Sequence, residues 1–442
     1  MTTPADPVAL LRSRGYLRLL AIAAVVGAPA SAAAYGFLAL VSFLQKEMFI
    51  HLPRGLGFSA EPTWWPIPVV AVGGFLAGLA IRYLPGRGGT SPADGFKVHG
   101  PPTPAQLPGV ALAALATLCF GAVLGPEMPL IAVGGGLGVL ATRAARRPIP
   151  DRGVAVIGAA GSFAAISTLF GSPILGAFLL MEATGLGGPM LSLVLVPGLL
   201  AAGIGTLIFV GLDSLTGLGT FSLAIPGLPH FSRPDVAAFG WAIVIGMAAP
   251  IIGRGIFWLA QSVKPQADRR LLVVVPAVGL VVGLLAFAFA LATGKPTADV
   301  LFSGQNQLGR LITHAASYTV GALVLLLLCK AFAYSVSLGS FRGGPIFPAM
   351  FVGATGGIAM SHLPGLPLVP AVAMGIGAMT AAVLTLPLSS VLLATLLLRS
   401  DGLNVMPLVI VAVTVAYVGQ ARLAPRPAAE PEAAPARTIV RQ

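Results

Sequence analysis

Long apolar blocks separated by short polar punctuation set the pattern of this chain. Fourteen of them run near 16–47, 65–84, 105–124, 127–143, 153–170, 173–184, 190–211, 234–262, 271–294, 314–335, 345–361, 367–385, 387–399 and 403–421. Unbroken runs such as LLLLCKAFAY at 325–334 read as helices, because barrel strands would alternate apolar and polar positions. A membrane span takes about 20 residues, and several blocks are shorter. Two of these, 173–184 and 387–399, open on Pro173 and Pro387. Proline suits a helix's first turn, so both are expected to be broken or re-entrant helices. The N-terminal arginines, the apolar run and APASAAA have the look of a signal peptide. The run resumes at once as YGFLALVSFL (35–44), so one long, tilted first helix over about 16–47 is expected.

The blocks repeat. Gly125-Pro126-Glu127-Met128-Pro129 with Gly134 matches Gly344-Pro345-Ile346-Phe347-Pro348 with Gly353, at an offset of 219. Gly158 with Ala164-Ala165 pairs with Gly375 and Ala381-Ala382 at 217, and Pro173 with Pro387 at 214. Three matches in one order at a nearly constant offset indicate two duplicated halves, about 16–211 and 234–421. Between them lies a linker, 212–233; a segment 1–15 precedes them, and a Pro/Ala-rich tail, 422–442, is expected to be disordered. Duplicated halves that each contain broken helices point to a transporter or channel with its site at their interface.

Composition agrees with the pattern. Of 442 residues, 56% are hydrophobic and 9% charged, and the mean hydropathy is +0.93. A soluble domain carries about 25% charge, so a multi-pass membrane protein is expected. The formal charge of +12 sits between the blocks rather than on a face for nucleic acid. Basic clusters lie at the N-terminus, at 143–152, at 264–270 and in the tail, with four, four and six blocks between successive clusters. Even counts allow all clusters to lie on one side, so they and both termini are expected on the cytoplasmic side of the plasma (inner) membrane. Cys119 and Cys329 read as buried thiols, and the five histidines form no metal or nucleophile pattern. No catalytic triad or phosphate loop is present, so an enzyme is not expected, and neither is a cofactor or metal.

Each G-P-x-x-P unit announces a helix start inside an apolar region. The first-turn amides there have no partner within their own helix and carry the positive end of its dipole, so they form an anion site. The anion-binding candidates are therefore Gly125 and Met128 on one side and Gly344, Ile346 and Phe347 on the other. Simple Pro-Gly kinks are the plainer alternative. Of 14 acidic residues, only Glu127 and Glu182 fall well inside apolar blocks. A carboxylate at a helix start is stabilised by the amides that would bind an anion, so Glu127 can act as a tethered competitor. Ionised, it fills the site; protonated, it leaves. The plainer alternative makes it a cap alone.

GPEMPLIAVGG (125–135), GGPIFPAMFVG (343–353) and FGSPILGAFLLME (170–182) resemble three signatures of the CLC chloride channel and transporter family. The resemblance covers nearly the whole chain to about residue 421. It implies an all-α, polytopic fold of two inverted-topology repeats with broken and re-entrant helices. It further implies an external gating glutamate at Glu127, anion-binding amides at the second motif, and a homodimer with one pathway per subunit. Regulatory domains found on some relatives are not expected here. The family's inner G-S-G-x-P loop corresponds to Gly88–Gly95, where Thr90 or Ser91 can donate to the anion, or serve as an ordinary turn residue. No tyrosine follows Leu423, leaving the inner gate unassigned, and Tyr417 is not given that role. Proton-coupled members often carry an internal glutamate where this chain has Ala183, beside Glu182. Glu127 and Glu182 are thus the candidates for any proton path.

The expected function is transport of chloride or a similar small anion, as channel or proton-coupled antiporter. A cation-coupled carrier for an organic solute is the alternative. Lys330 and Arg254, inside apolar blocks, are expected to snorkel, pair with carbonyls or line a vestibule, and Arg342 reads as a loop charge or a local anion attractor.

Overall fold

The computed structural model describes residues 12–98, 100–145, 148–185, 189–217, 230–231, 233–398 and 401–424. Most of the expected linker, nearly all of the expected tail and the start of segment 1–15 lie outside these residues.

The described residues form helices joined by short loops: α1 Arg14–Lys46, α2 Pro66–Tyr83, α3 Leu107–Leu118, α4 Glu127–Arg143, α5 Asp151–Phe170, α6 Pro173–Thr184, α7 Pro189–Thr216, α8 Val236–Arg269, α9 Leu271–Thr293, α10 Gln305–Thr313, α11 Val320–Ser340, α12 Ile346–Met360, α13 Leu368–Leu384, α14 Pro387–Leu397 and α15 Gly402–Leu423. Eight helices among the described residues are long and apolar enough to cross a membrane. This is an all-helical, multi-pass membrane protein. The stretch expected at 105–124 stops being helical at Leu118. The residues after it turn at Gly121, at φ +98°, into a buried loop that hydropathy cannot tell from a helix.

α1 and α8 lead the two halves, each opened by a side-chain cap. Ser13 Oγ accepts from the Tyr16 amide at 3.1 Å, and Asp235 Oδ1 accepts from Ala238 at 2.7 Å. Within the first half α4 packs on α5, α5 on α6 and α7, and α1 on α5 and α7. The second half repeats this with α12, α13, α14, α15 and α8. The halves join where α2 meets α9 and α6 meets α14. Each of these pairs sets an element against its own counterpart, as an approximate two-fold requires.

Small residues bring the paired helices close. A Cβ at Gly134 would overlap the Gly161 carbonyl, and a Cβ at Gly353 would overlap that of Gly375. Gly161 and Gly375 are 214 apart, the offset of Pro173 and Pro387, so the true partner of Gly375 is Gly161 and not Gly158. Gly171 at φ +61° and Thr385 at φ +56° end α5 and α13 in left-handed turns at the same offset.

Burial is inverted relative to a water-soluble helix. α13 is buried along nearly its whole length, whereas the outer α8 and α9 expose Ile251, Trp258, Val273 and Leu291. Large apolar side chains facing outward on long helices suit a lipid surround.

Candidate functional site

Two largely buried loops, 119–126 and 341–345, deliver α4 and α12 to the protein interior. Buried backbone groups outside helices need partners, and these loops supply one another. Gly125 N donates to Gly344 O at 2.7 Å and Gly344 N donates to Gly125 O at 2.6 Å, the only isolated bridge among the described residues. Their flanks are held reciprocally as well. Val123 N donates to Ser337 Oγ of α11 at 3.2 Å, and Arg342 N donates to Thr117 Oγ1 of α3 at 3.4 Å. Thr117 and Ser337 were passed over in the sequence, although they lie 220 apart, almost the motif offset. Tyr334, fully buried, donates its hydroxyl to Pro345 O at 2.8 Å and fixes the second helix start.

The two starts therefore lie side by side, and their first-turn amides have no partner within their own helices. Pro129 and Pro348 carry no N–H, which leaves the amides of Glu127, Met128, Ile346 and Phe347 as the donors of those turns. Glu127 is fully buried, and its Oε1 accepts from the Phe347 amide at 2.9 Å. Its carboxylate thus reaches from its own helix start to the amide of the opposite one. Oε2 is buried with no hydrogen-bond partner. Cβ atoms built on Gly125 and Gly344 would both overlap this carboxylate, so only glycine leaves it room at either position. Phe170, at the end of α5, stacks near Phe347 with ring centroids 5.8 Å apart. A carboxyl group lies between two helix starts, where dipole and amides favour its charge and burial opposes it.

A cavity of about 40 Å³ adjoins Pro126, bordered by Ser42, Gln45, Ser303, Gln305, Asn306 and Gln307. That is room for roughly one water. Its polar wall comes largely from the start of α10, a short amphipathic helix that the apolar pattern did not reveal.

Ser91 and Thr90 separate in the structure. Thr90 is exposed, while the Ser91 hydroxyl is buried without a partner. Their loop is tied to the second helix start through Arg342, whose side chain donates to Arg87 O at 3.4 Å and Phe341 O at 3.1 Å. Arg342 is nearly fully buried and holds two loops together, so it is not a free loop charge. Lys330 is likewise a strut. Its Nζ donates to Leu301 O at 2.7 Å and Phe302 O at 3.0 Å, above the Phe351 ring. Phe302 N in turn donates to Gly121 O at 3.1 Å, which braces the first loop.

Glu182 belongs to another junction. Its carboxylate accepts from Leu388 N at 3.0 Å, Ser389 N at 2.8 Å and Ser389 Oγ at 2.7 Å, at the start of α14. α6 is capped by its own Ser172, which accepts from Leu175 N at 3.3 Å. Repeat 2 has Leu386 at that position, with no side-chain cap, and Glu182 reaches across from repeat 1 in its place. Replacing a cap of this kind costs about 2 kcal/mol. Glu182→Ala should lower the unfolding temperature, with Glu182→Gln falling between it and the wild type. A relay role would instead show in Glu182→Gln as lost proton movement at unchanged stability.

Paired broken helices whose starts meet at the centre of a duplicated helical bundle define a membrane protein of the channel and transporter class. The family model described as voltage gated chloride channel matches residues 73–420, and the chain belongs to that family, the CLC family. A YfeO protein of Escherichia coli (strain 55989 / EAEC), described as an ion-transport protein, is 28% identical over 364 residues, 80% of this chain and 82% of the relative. The YfeO protein of Salmonella paratyphi A (strain ATCC 9150 / SARB42) is 28% identical over 366 residues, 80% of this chain and 84% of its own. Among solved structures, a slow cyanobacterial Cl−/H+ antiporter superposes with a TM-score of 0.76 at 20% identity, covering 93% of this chain and 96% of that one. A CLC-type fluoride/proton antiporter gives 0.69 at 18% identity, over 91% and 95%. These likenesses are of fold.

Proposed function

We propose that this protein carries chloride or a similar small anion across the membrane along a CLC-type pathway gated by Glu127. One contact carries the reading, the hydrogen bond from the Phe347 amide to the Glu127 carboxylate. While ionised, Glu127 holds amides that an anion needs. Protonation replaces a charge-assisted bond with a weaker neutral one. The side chain then leaves, and an anion enters between Gly125 and Gly344 on the amides of Met128, Ile346 and Phe347. The buried, unpartnered hydroxyl of Ser91 suits a donor further along the path, and exposed Thr90 does not. Repeats over 16–211 and 234–421, cytoplasmic termini in the plasma (inner) membrane, and a homodimer with one pathway per subunit complete the reading. The antiporters that share the fold act on chloride or fluoride by their titles, which agrees with a small anion here.

Purified protein in liposomes tests this, with chloride efflux and external pH recorded together. Chloride should leave, faster as the pH falls. Proton movement against its gradient would identify antiport, by a route that does not use Ala183, which has no titratable group. Absence of chloride, fluoride and nitrate movement would overturn the proposal.

A further inference from the structure

Between the starts of α1 and α5 and the ends of α4 and α6 lies a cavity of about 620 Å³. It is far larger than the space beside Pro126 and within the range of pockets that hold small-molecule ligands, about 300–1,000 Å³. Leu19, Ile22, Val98, Val156, Phe163 and Leu180 make its wall apolar, so water entering it would find few partners. Two guanidinium groups stand at its edge, those of Arg18 and Arg152, both exposed. Arg14 opens α1 and Arg143 lies in the last turn of α4, two further cations at the ends of these helices. Among the described residues of those helix ends the carboxylates are Asp151 and Glu182, and Glu182 is held by the start of α14. α5 begins there without a side-chain cap, its first amides open beside Arg152.

At the corresponding corner of the second repeat, where α8 starts beside the loop into α13, Trp241 donates its indole N–H to Pro364 O at 3.3 Å. Repeat 1 presents an apolar chamber under a cationic rim, at the level of the loops whose charge marks the cytoplasmic leaflet. Anionic headgroups of that leaflet are drawn to clustered arginines. An ordinary soluble anion would gain nothing from the chamber, and a neutral lipid nothing from the rim.

We infer that this cavity holds one acyl chain of an anionic phospholipid, with the lipid phosphate on Arg18 and Arg152. The chain fills space beside Ser162, whose hydroxyl donates to Ile131 O of α4 at 2.9 Å. The lipid thereby braces α5 against α4, the helix that begins at Glu127. The inference does not depend on what the pathway carries.

The test is native mass spectrometry of the delipidated full chain, titrated with phosphatidylglycerol, with phosphatidylcholine of the same acyl chains, and with glycerol phosphate alone. The expected result is one retained phosphatidylglycerol, bound at least about tenfold more tightly than phosphatidylcholine, and no retained glycerol phosphate. Arg18→Ala with Arg152→Ala should abolish the preference while some lipid still binds. Ala155→Trp, at an exposed position on the cavity lining, should bind neither lipid; Ala159→Leu carries this arm if the larger side chain prevents folding. Equal binding of the two lipids by the wild type would overturn the inference. So would unchanged phosphatidylglycerol binding in the filled variants, or glycerol phosphate binding as tightly as the lipid. Binding seen only after removal of residues 1–11 would make the chain's own N-terminal segment the occupant, and the inference would fall.

Discussion

Glu127→Gln, reconstituted in liposomes, should move chloride at a rate that no longer depends on pH, whereas the wild type should accelerate as the pH falls. The sign follows from the geometry. In the wild type the ionised carboxylate accepts from Phe347 N and sits between Gly125 and Gly344. Each proton taken up vacates that position, so on the alkaline side of the titration the open fraction changes about tenfold per pH unit. An amide side chain has no proton to gain over this range and cannot be the ionised competitor. Any proton movement coupled to the anion should vanish with the carboxylate. A wild-type pH profile retained in Glu127→Gln would remove the gate from this residue, leaving it a helix cap.

Gly125→Ala should produce nearly the same phenotype without touching a titratable group. The added Cβ falls on the Glu127 carboxylate and its Cδ, closer than atoms approach in real structures, and the atoms it meets first belong to that side chain. The carboxylate must leave the Phe347 amide, and flux should lose most of its pH dependence. In a Glu127→Ala background those atoms are gone, so the glycine substitution should add little. A double-mutant cycle should therefore show a coupling on the order of 1–3 kcal/mol, as expected for groups in contact. Additive effects would mean that Gly125 serves only the bridge to Gly344.

Much of this site was legible in the chain because each of its parts violates a local rule. A carboxylate inside an apolar block, and Gly-Pro breaks in two blocks at one offset, stand out against the hydrophobic pattern. Both helix starts and Glu127 were found that way. What escaped notice was ordinary locally and special only in three dimensions. Thr117 and Ser337 look like helical hydroxyls, yet each holds an amide of the opposite repeat's loop. Tyr334 lies in an apolar run and gives no sign that it anchors Pro345. α10 was missed because its polar face lines a cavity, so its hydropathy resembles a loop. The repeat register slipped from 214 to 217 between α5 and α13, where glycine and alanine recur so densely that several alignments look alike. The contact between Gly353 and Gly375 resolves it, since Gly134 meets Gly161 in the same way. Glu182 shows the opposite limit. Its presence in an apolar block was plain, but its partners lie more than 200 residues away, at a helix start that has Leu386 where α6 has Ser172.

The central claim is that an anion and the Glu127 carboxylate compete for the same amides. Bromide-soaked crystals of the wild type and of Glu127→Ala, grown at neutral pH, test it most directly through the anomalous signal of the ion. The account predicts a bromide within hydrogen-bond distance of Phe347 N in Glu127→Ala, in the space the carboxylate fills in the wild type, and none there in the wild type. Bromide seated at that amide in both proteins, or only at places remote from it in both, would contradict the account.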